Sequence, residues 1–585
     1  MWTFWWEFNK HDYIGLRDAL RNGGALTGSA DWYLGLGTDD QAVDISRPSP
    51  EQIRDIVVPA LLRVLSRETD NDVVTGTLIA LAKIKDMPLE DGTSPFSSLF
   101  THWLEDPSQE ISETAVLALG ILGRAGDVPL LEALLLDSAD GRAAVGRAEV
   151  PRRSRAFAAY GLGLIGSSVA EESLKVAILE RLRVTVLSES SATRDVSVAC
   201  MISMGLFSPS ALGLEPKEPS EGLASCNSQL SFLMELYSDR RQSRFLRAHC
   251  PTAMVRVLEG RRAELEPQWK GRLSEAFLAS IRDSQEAQEV VESCVLALGA
   301  LGDCDGDMLD SRIRKTLLQI PKLVSDQQAR NFSLIALAQI GARPGSDDAN
   351  ASEVFDALLA RLGGSKNAMR PWSAIGMGVL ARGAGDRYPT ALSRALAIEL
   401  AQQRGPGISA YAIGAGLVGD ESFTDTLLVK LDTISDDTAR GYLCLGLGLI
   451  GDRRAIGPVQ ELVKQSTYRA ELLRQAAIAL GLLGDKSAVD LLLESLQQTT
   501  SLSTKAAVAM ALGFIGDRRS IVPLIEMLED DQETPLACGF AAAALGNICD
   551  PARLPWNASI SSNLNYRAAT ETLTGMDGRG ILDIL

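Results

Sequence analysis

Three glycine-rich stretches carry the spacing G-x-G-x-x-G, at residues 161–166, 414–419 and 446–451. This spacing is the fingerprint of a dinucleotide-binding turn, in which glycines let the backbone of a helix N-terminus approach a pyrophosphate. Such a turn requires a strand before the first glycine and a helix after the last one. Here the preceding residues, such as "RGYLCL" before Gly446, follow a helical Ala/Leu pattern. The glycines are therefore predicted to end helices, and no cofactor is predicted.

The side chains that carry most enzyme and metal chemistry are few and widely spaced. The sequence has three histidines, His11, His102 and His249, and eight cysteines that form no C-x-x-C. It contains neither G-x-S-x-G nor H-E-x-x-H. A zinc or redox site is therefore disfavoured, and the cysteines are interpreted as buried structural thiols. No catalytic and no metal-binding residue is predicted.

Charge and hydropathy narrow the classes further. The 585 residues include 57 Lys and Arg against 75 Asp and Glu, a formal net charge of −18. Nucleic-acid binding depends on basic side chains that neutralise phosphates, so no nucleic-acid partner is predicted. No apolar run reaches the roughly 18–20 residues that span a bilayer, which predicts no membrane insertion. The N-terminus "MWTFWWEFNK" lacks the features of a signal peptide, so the chain as written is expected to be cytoplasmic.

A repeat of 32 or 33 residues organises the chain. Its clearest marks are the aspartates Asp420, Asp452, Asp485, Asp517 and Asp550. Each unit reads as two helices because apolar residues recur at i, i+3, i+4 and i+7. Gly451, Gly484 and Gly516 are predicted to end a helix in the left-handed conformation, and the following aspartate to cap the next helix. About a dozen such units are predicted between residues 50 and 550, stacked because one two-helix unit cannot bury its own faces.

The second helix of these units reads A-x-A-L-G-x-[LI]-G-D, with Pro458 or Pro523 in the following first helix and a basic residue opening the second. This combination resembles HEAT repeats, in particular the short repeats first associated with phycobilisome lyases. The resemblance implies an all-α fold, an α-solenoid of stacked two-helix HEAT-type repeats with non-repeat N- and C-terminal caps. With its two ends, the chain is also similar to a group of bacterial HEAT-repeat proteins whose members often carry an export leader. That similarity implies an exported or periplasmic location if a leader precedes this sequence.

Composition divides the chain into five predicted segments. They are an aromatic-rich N-terminal cap at 1–50 (containing Trp2, Trp5, Trp6 and Trp32), HEAT-type repeats at 51–207, a Pro/Gly/Ser-rich insertion with a basic helix at 208–250, further repeats at 251–550 and a C-terminal capping tail at 551–585. The two caps are expected to cover the otherwise exposed last repeats. The insertion is expected to decorate a binding face.

Basic residues recur 11 or 12 residues before each junction between units. This ladder comprises Arg155, Arg194, Arg330, Arg370, Arg440, Arg474 and Lys505. In HEAT repeats an arginine near this place commonly bonds the turn between the two helices, which is the structural interpretation. The alternative is that these side chains line the inner surface and bind acidic peptides or phosphates. Arg240, Arg241, Arg244 and Arg247 form a second basic cluster, interpreted as a solvated face or as a site for an anionic partner.

Aromatic residues precede several of the first glycines by four positions. The pairs are Phe157 with Gly161, Trp372 with Gly376 and Tyr442 with Gly446. Residues i and i+4 share a helix face, so the missing methyl group is predicted to make room for the ring. The alternative is an aromatic-lined ligand groove, which makes Trp372 and Tyr442 candidate partner-binding residues.

The predicted function is that of a non-enzymatic scaffold or adaptor, acting as a monomer, that presents an extended helical-repeat surface to a protein or peptide partner. The candidate partner-binding residues are the six ladder arginines, Trp372, Tyr442, Arg240, Arg241 and Arg244. The alternative is a lyase-type or other enzyme that uses the solenoid groove as a substrate cradle, which the repeat type by itself would allow. HEAT-type repeats serve scaffolds, adaptors and a few enzymes, so the fold does not choose between these functions.

Overall fold

A computed structural model describes residues 2–16, 47–86, 93–189, 193–213, 222–343, 348–363, 368–385, 388–552, 554–575 and 580–585. Every regular element within these ranges is a helix, and no strand occurs in them. The predicted all-α class is therefore confirmed. Two compact units divide the chain: a first unit of residues 1–12, 85–395 and 554–585, and a second unit of residues 13–84 and 396–553.

The main helices are numbered in chain order, and short helical turns between them are left unnumbered. The first fifteen are α1 (Trp2–Asn9), α2 (Val58–Arg67), α3 (Asn71–Ile84), α4 (Pro95–His102), α5 (Gln109–Leu122), α6 (Val128–Leu135), α7 (Arg152–Ser168), α8 (Glu172–Ser188), α9 (Arg194–Met204), α10 (Cys226–Ser238), α11 (Arg244–Gly260), α12 (Arg262–Arg282), α13 (Gln288–Leu301), α14 (Met308–Leu323) and α15 (Gln327–Ala342). The others are α16 (Asp348–Leu362), α17 (Arg370–Ala384), α18 (Pro389–Gln402), α19 (Ile408–Val418), α20 (Thr424–Thr433), α21 (Asp437–Ile450), α22 (Ile456–Gln465), α23 (Ala470–Leu482), α24 (Ser487–Gln498), α25 (Leu502–Ile515), α26 (Ile521–Glu529), α27 (Pro535–Cys549), α28 (Trp556–Ser561) and α29 (Ile581–Ile584).

Helices α2 to α27 form thirteen repeats, each with an even-numbered first helix and an odd-numbered second helix. In the first unit the second helices α5 to α17 pack on one another in chain order, and in the second unit α19 to α27 do the same. Each second helix also packs against a first helix. Neighbours on several sides explain why α7 is buried without a break from Ala156 to Gly166. Such a helix is apolar all round, as expected of a fully buried one.

The junctions between repeats follow the predicted chemistry. Gly451 and Gly516 end α21 and α25 in the left-handed conformation, with φ of 81° and 74°. Asp452 then accepts a hydrogen bond from the backbone N–H of Arg454 at 2.9 Å, and Asp517 does the same for Arg519. The aspartate caps a short 3-10 turn that leads into the next first helix. A glycine and an aspartate therefore close one repeat and open the next.

The predicted reason for the first glycine of each motif is wrong. A methyl group on Gly446 would lie 2.5 Å from the carbonyl oxygen of Ala412 on the neighbouring second helix α19. At Gly161 the nearest atom is the Cα of Gly120 on α5. These glycines therefore allow second helices to approach each other closely, and the aromatic residue four positions earlier is not what they accommodate.

In the second unit, the first repeat of the sequence packs against the last one. Helix α3 lies along α27, where a methyl group on Gly546 would meet the Cα of Ala80 at 2.5 Å. The Lys83 ammonium donates to Asn547 Oδ1 at 2.8 Å across this contact. Chain order and packing order therefore differ in this unit.

In the first unit, the two chain ends lie on second helices. Trp5 of α1 contacts Trp372 of α17, with 6.4 Å between ring centroids. The C-terminal segment reaches α13, where the Asn565 amide donates to the Glu289 carbonyl oxygen at 2.8 Å. Sequence analysis expected these segments to cover the last repeats, so their position differs from the prediction because their aromatic and amide side chains bind second helices of other repeats. Trp32 lies outside the described residues, and the five segment boundaries stay a prediction.

The stretch predicted as one basic helix before residue 250 is two helices. Helix α10 ends at Ser238 and α11 begins at Arg244, so Arg240 and Arg241 lie in the turn between them. This pair forms an ordinary repeat. The chain breaks here because Asp239 caps the turn, accepting the backbone N–H of Arg241 at 3.1 Å.

Candidate partner-binding surface

The ladder arginines of the first unit bond the turn of their own repeat. Each donates its Nε hydrogen to a carbonyl at the end of the preceding first helix: Arg155 to Leu135 at 2.8 Å, Arg330 to Val324 at 2.8 Å and Arg370 to Leu362 at 3.0 Å. A helix leaves its last carbonyl groups without intrahelical partners, and these guanidinium groups satisfy one in each repeat. The contacts fit the structural interpretation of the ladder.

Arg247 is a further member of the ladder that sequence analysis assigned to another cluster. Its Nε donates to the Tyr237 carbonyl oxygen at 2.8 Å, and its two Nη atoms donate to Glu286. Arg155 pairs in the same way with Glu189. Each acidic partner lies in the turn of the next repeat, so these arginines also tie consecutive repeats together. The fourth position of its second helix, shared by Arg155 and Arg247, was the available signal.

The remaining predicted basic residues do not converge on one site. Arg474 pairs with Glu471 of its own helix, and Arg440 is half-buried on α21. Arg194 and Arg244 are brought together, because both guanidinium groups lie over the Phe245 ring, at 4.5 and 5.1 Å from its centroid. In the turn after α10, Arg240 pairs with Asp283 and Arg241 with Asp239.

The two predicted aromatic residues are buried. Trp372 is 2% exposed and Tyr442 is 5% exposed. Trp372 also contacts Phe332 edge to face, with 5.8 Å between centroids. Neither side chain presents enough surface to act as a binding hot spot, so a partner would have to bind elsewhere.

A different set of side chains forms an apolar surface on two adjacent second helices of the second unit. We call it the α25–α27 surface and define it by Leu502, Met510 and Phe514 of α25 with Leu536 and Phe540 of α27. Leu502, Met510 and Leu536 are 36–38% exposed, and the two phenylalanines are half-buried. The members follow one another by four or eight residues along each helix, so each set lies on one helix face.

The packing of these helices shapes the surface into a shallow groove. A methyl group on Gly513 would lie 3.1 Å from the Cα of Ala544, which shows how closely α25 and α27 approach. An ion pair between Lys505 and Glu533 joins the two sides near the start of the helices. Beside the groove, Glu471 of α23 is exposed, and Asp72 and Thr75 of α3 are half-exposed. The apolar surface is therefore two helices wide, with polar side chains on both sides.

The electrostatic setting of this surface is acidic. Residues 396–552 contain 12 Lys and Arg against 20 Asp and Glu. Asp530 and Asp531 are exposed in the turn that leads into α27. Because Lys505 is already paired with Glu533, the exposed charge near the start of the groove is mainly negative.

Sequence analysis missed this surface although α25 carries a signal for it. The helix reads "LSTKAAVAMALGFI", in which Leu502, Ala506, Met510 and Phe514 form an apolar row of their own beside the buried face. A helix that is apolar all round is normally buried on all sides. Only the packing of α25 shows that this row stays partly exposed.

The structure offers little that resembles an enzyme site or a metal centre. Burial lowers the pKa of His249 to about 4, and its Nε2 lies 3.0 Å from the Ala568 carbonyl oxygen. Across the described ranges, no group of three or more His, Cys, Asp or Glu side chains could hold a metal ion. The eight cysteines are buried, as predicted. No described helix combines the length and the apolar character needed to cross a bilayer.

Comparison with known proteins identifies the repeat. A family model described as HEAT repeats matches residues 424–501 and 466–537, a range that includes α25. The chain therefore contains HEAT repeats, and its class is that of the α-solenoid proteins. No curated protein matches the chain in sequence.

Several solved structures share the helical-repeat architecture. Yeast importin-β (Kap95p) is 13% identical with a TM-score of 0.41, over 87% of this chain and 69% of that chain. Kap95p from a study of its binding to RanGDP is 13% identical with a TM-score of 0.38, over 92% and 73%. Kap121p is 11% identical with a TM-score of 0.38, and the match covers 90% of this chain and 57% of that chain.

Proposed function

We propose that this chain is a non-enzymatic scaffold that binds a protein partner through the α25–α27 surface. The observation that supports it most is the alignment of partly exposed apolar side chains on two adjacent helices that are otherwise buried. Singly exposed apolar residues are normal on protein surfaces, but contiguous rows with a polar border are typical of interaction sites. The surface offers such a row on each side of one groove.

The size of the exposed side chains favours a protein partner. Leucine, methionine and phenylalanine each contribute about 1.5–3 kcal/mol when they pass from full exposure to full burial. The five side chains of the surface are one third exposed or less, so each retains only part of that contribution. A partner must therefore cover the whole groove and its polar border to bind stably, which a folded or folding polypeptide can do.

The proposal is tested by affinity capture from the source cells with a matched pair of variants. The first variant carries Leu502→Glu, Met510→Glu and Leu536→Glu, which place charges in the groove. The control carries Val429→Glu and Val522→Glu, which alter equally exposed valines on the first helices α20 and α26. Circular dichroism of both variants establishes that their helices are intact.

The expected result is a protein that the wild type and the control retain and the groove variant loses. Such a protein would then be crosslinked through a photoreactive residue at Met510 to show direct contact. Retention of every captured protein by the groove variant at the wild-type level would overturn the proposal, as would the capture of none.

A further inference from the structure

We propose that the segment of the partner bound by the α25–α27 surface is a basic amphipathic helix that lies along the groove, parallel to the axes of α25 and α27. This inference rests on the proposed function and specifies the chemistry of its partner. It follows from the shape of the apolar surface, from the polar residues that border it and from its charge.

The surface is long in the direction of the helices and narrow across them. Leu502 and Phe514 are twelve residues apart on α25, a span of about 18 Å at 1.5 Å per residue. Across the helices the apolar surface is two helices wide, and packed helices lie about 8–10 Å apart. A helix of about twelve residues has the same length and places apolar side chains at i, i+4, i+7 and i+11 along one face.

An extended peptide that crosses the repeats fits the same surface less well. On one side it would meet Glu471 and Arg474 of α23, and on the other Asp72 and Thr75 of α3. At about 3.3 Å per residue, an extended chain would remain on apolar side chains for only about six residues. The helix-in-groove arrangement uses the full length of both apolar rows.

The first unit contains an example of a helix that binds to second helices. Helix α1 places Trp5 against Trp372 of α17, and Trp5 becomes 1% exposed. On the same helix, Phe4 and Phe8 contact Tyr566, whose ring in turn contacts Phe332 of α15. A short aromatic helix of this chain therefore covers apolar residues of second helices by the mode that we propose for the partner.

The charge of the groove selects the sign of the helix. Exposed carboxylates at Asp530, Asp531 and Glu471 lie near the start of the two rows or beside them. Lysine or arginine side chains on the edges of the bound helix would face these carboxylates, whereas acidic side chains would be repelled. The attraction is between exposed groups, so it falls with ionic strength.

Three synthetic 16-residue peptides test the inference by fluorescence anisotropy with the full chain. The first has leucines at i, i+4, i+7 and i+11 and lysines at the flanking positions. The second replaces the lysines by glutamates. The third has the composition of the first, with the leucines at alternate positions. Each is titrated against the wild type, the groove variant (Leu502→Glu, Met510→Glu, Leu536→Glu) and the control variant (Val429→Glu, Val522→Glu).

The first peptide is expected to bind the wild type at least about tenfold more tightly than either of the others. Its affinity should fall at least about tenfold in the groove variant and stay within twofold in the control. Equal affinities of the three peptides, or equal binding by the two variants, would overturn the inference. If affinity capture still gives a partner that depends on Met510, the proposed function stands without this helix; if capture fails as well, both are overturned.

Discussion

Arg247 and Glu286, 39 residues apart, are joined by two hydrogen bonds of 2.8 Å between consecutive repeats of the first unit. The Nε of Arg247 also donates to the Tyr237 carbonyl oxygen. The two charged side chains are only 7% and 3% exposed. One guanidinium group therefore holds the turn of its own repeat and the start of the next second helix.

Replacement of Arg247 by alanine is expected to lower the free energy of unfolding by about 3–5 kcal/mol, because Glu286 would remain buried without its partner. The matched control is Arg241→Ala, since Arg241 is 91% exposed and pairs with neighbouring Asp239. Its loss is expected to stay below about 0.5 kcal/mol. Urea denaturation at pH 7 measures both, and equal losses would contradict the role assigned to Arg247.

The same pair predicts a dependence on pH. Burial would raise the pKa of Glu286, but hydrogen bonds from Arg247 and from the Ala287 backbone outweigh it, and the pKa lies below its ordinary value. A carboxylate with a lowered folded-state pKa stabilises the protein above the unfolded-state pKa and loses this effect as the pH falls through the folded-state value. The difference in stability between wild type and Arg247→Ala should therefore shrink in acid. A difference that grows below pH 4 would contradict this sign.

Replacement of Gly446 by alanine is expected to destabilise the protein, although alanine favours helix by about 1 kcal/mol. Its methyl group would meet the Ala412 carbonyl oxygen at 2.5 Å, and relief of such overlap costs typically about 1–3 kcal/mol. Gly271 lies in the middle of α12 with nothing within 4 Å of an added methyl group. Gly271→Ala should therefore stabilise the chain by up to about 1 kcal/mol. Thermal melting of both variants gives the comparison, and opposite signs are required.

Glu292 of α13 should make the protein less stable as the pH rises. Burial and then the charge of Asp326 raise its pKa to about 8, against the smaller effect of Arg567, whose Nε is 3.4 Å away. Between the unfolded-state pKa and pH 8 the folded chain holds one proton more than the unfolded chain, so its stability falls over this range.

Glu292→Gln should remove this slope, and its stability relative to wild type should rise by on the order of 3 kcal/mol from pH 5 to pH 9. Urea denaturation at several pH values measures the slope. Glu461→Gln, which changes an exposed glutamate of α22, serves as the control. Parallel pH profiles of wild type and Glu292→Gln would refute the prediction.

Tyr566→Ala is expected to loosen the C-terminal segment. Its ring contacts Phe4, Phe8 and Phe332 at centroid distances of 5.9, 5.7 and 5.6 Å. Loss of a buried aromatic side chain costs about 3–5 kcal/mol, whereas Tyr468→Ala, at an 81% exposed tyrosine, should cost less than about 0.5 kcal/mol. Limited trypsin digestion should cut at Arg567 faster in the first variant. Equal rates of cleavage in the two variants would show that Tyr566 does not hold this segment.

The repeats could be predicted from the sequence because their signals are local. Apolar spacing, the left-handed glycines at Gly451 and Gly516 and the capping aspartates Asp452 and Asp517 act within a few residues of chain. The number and type of helices follow from such short-range rules, and the arginine that bonds its own turn is nearly as local. These features were therefore open to prediction before any tertiary contact was known.

The tertiary structure decided which surfaces remain available. Gly446 is glycine because of a carbonyl group on another helix, Trp372 is buried with help from the first helix of the chain, and Arg247 pairs with Glu286 of the next repeat. Met510 and Phe514 look like core residues in the sequence, and only the arrangement of neighbouring helices leaves them partly exposed. Side-chain burial depends on contacts between residues far apart in the chain, whereas periodicity reports only the face of one helix on which a residue lies.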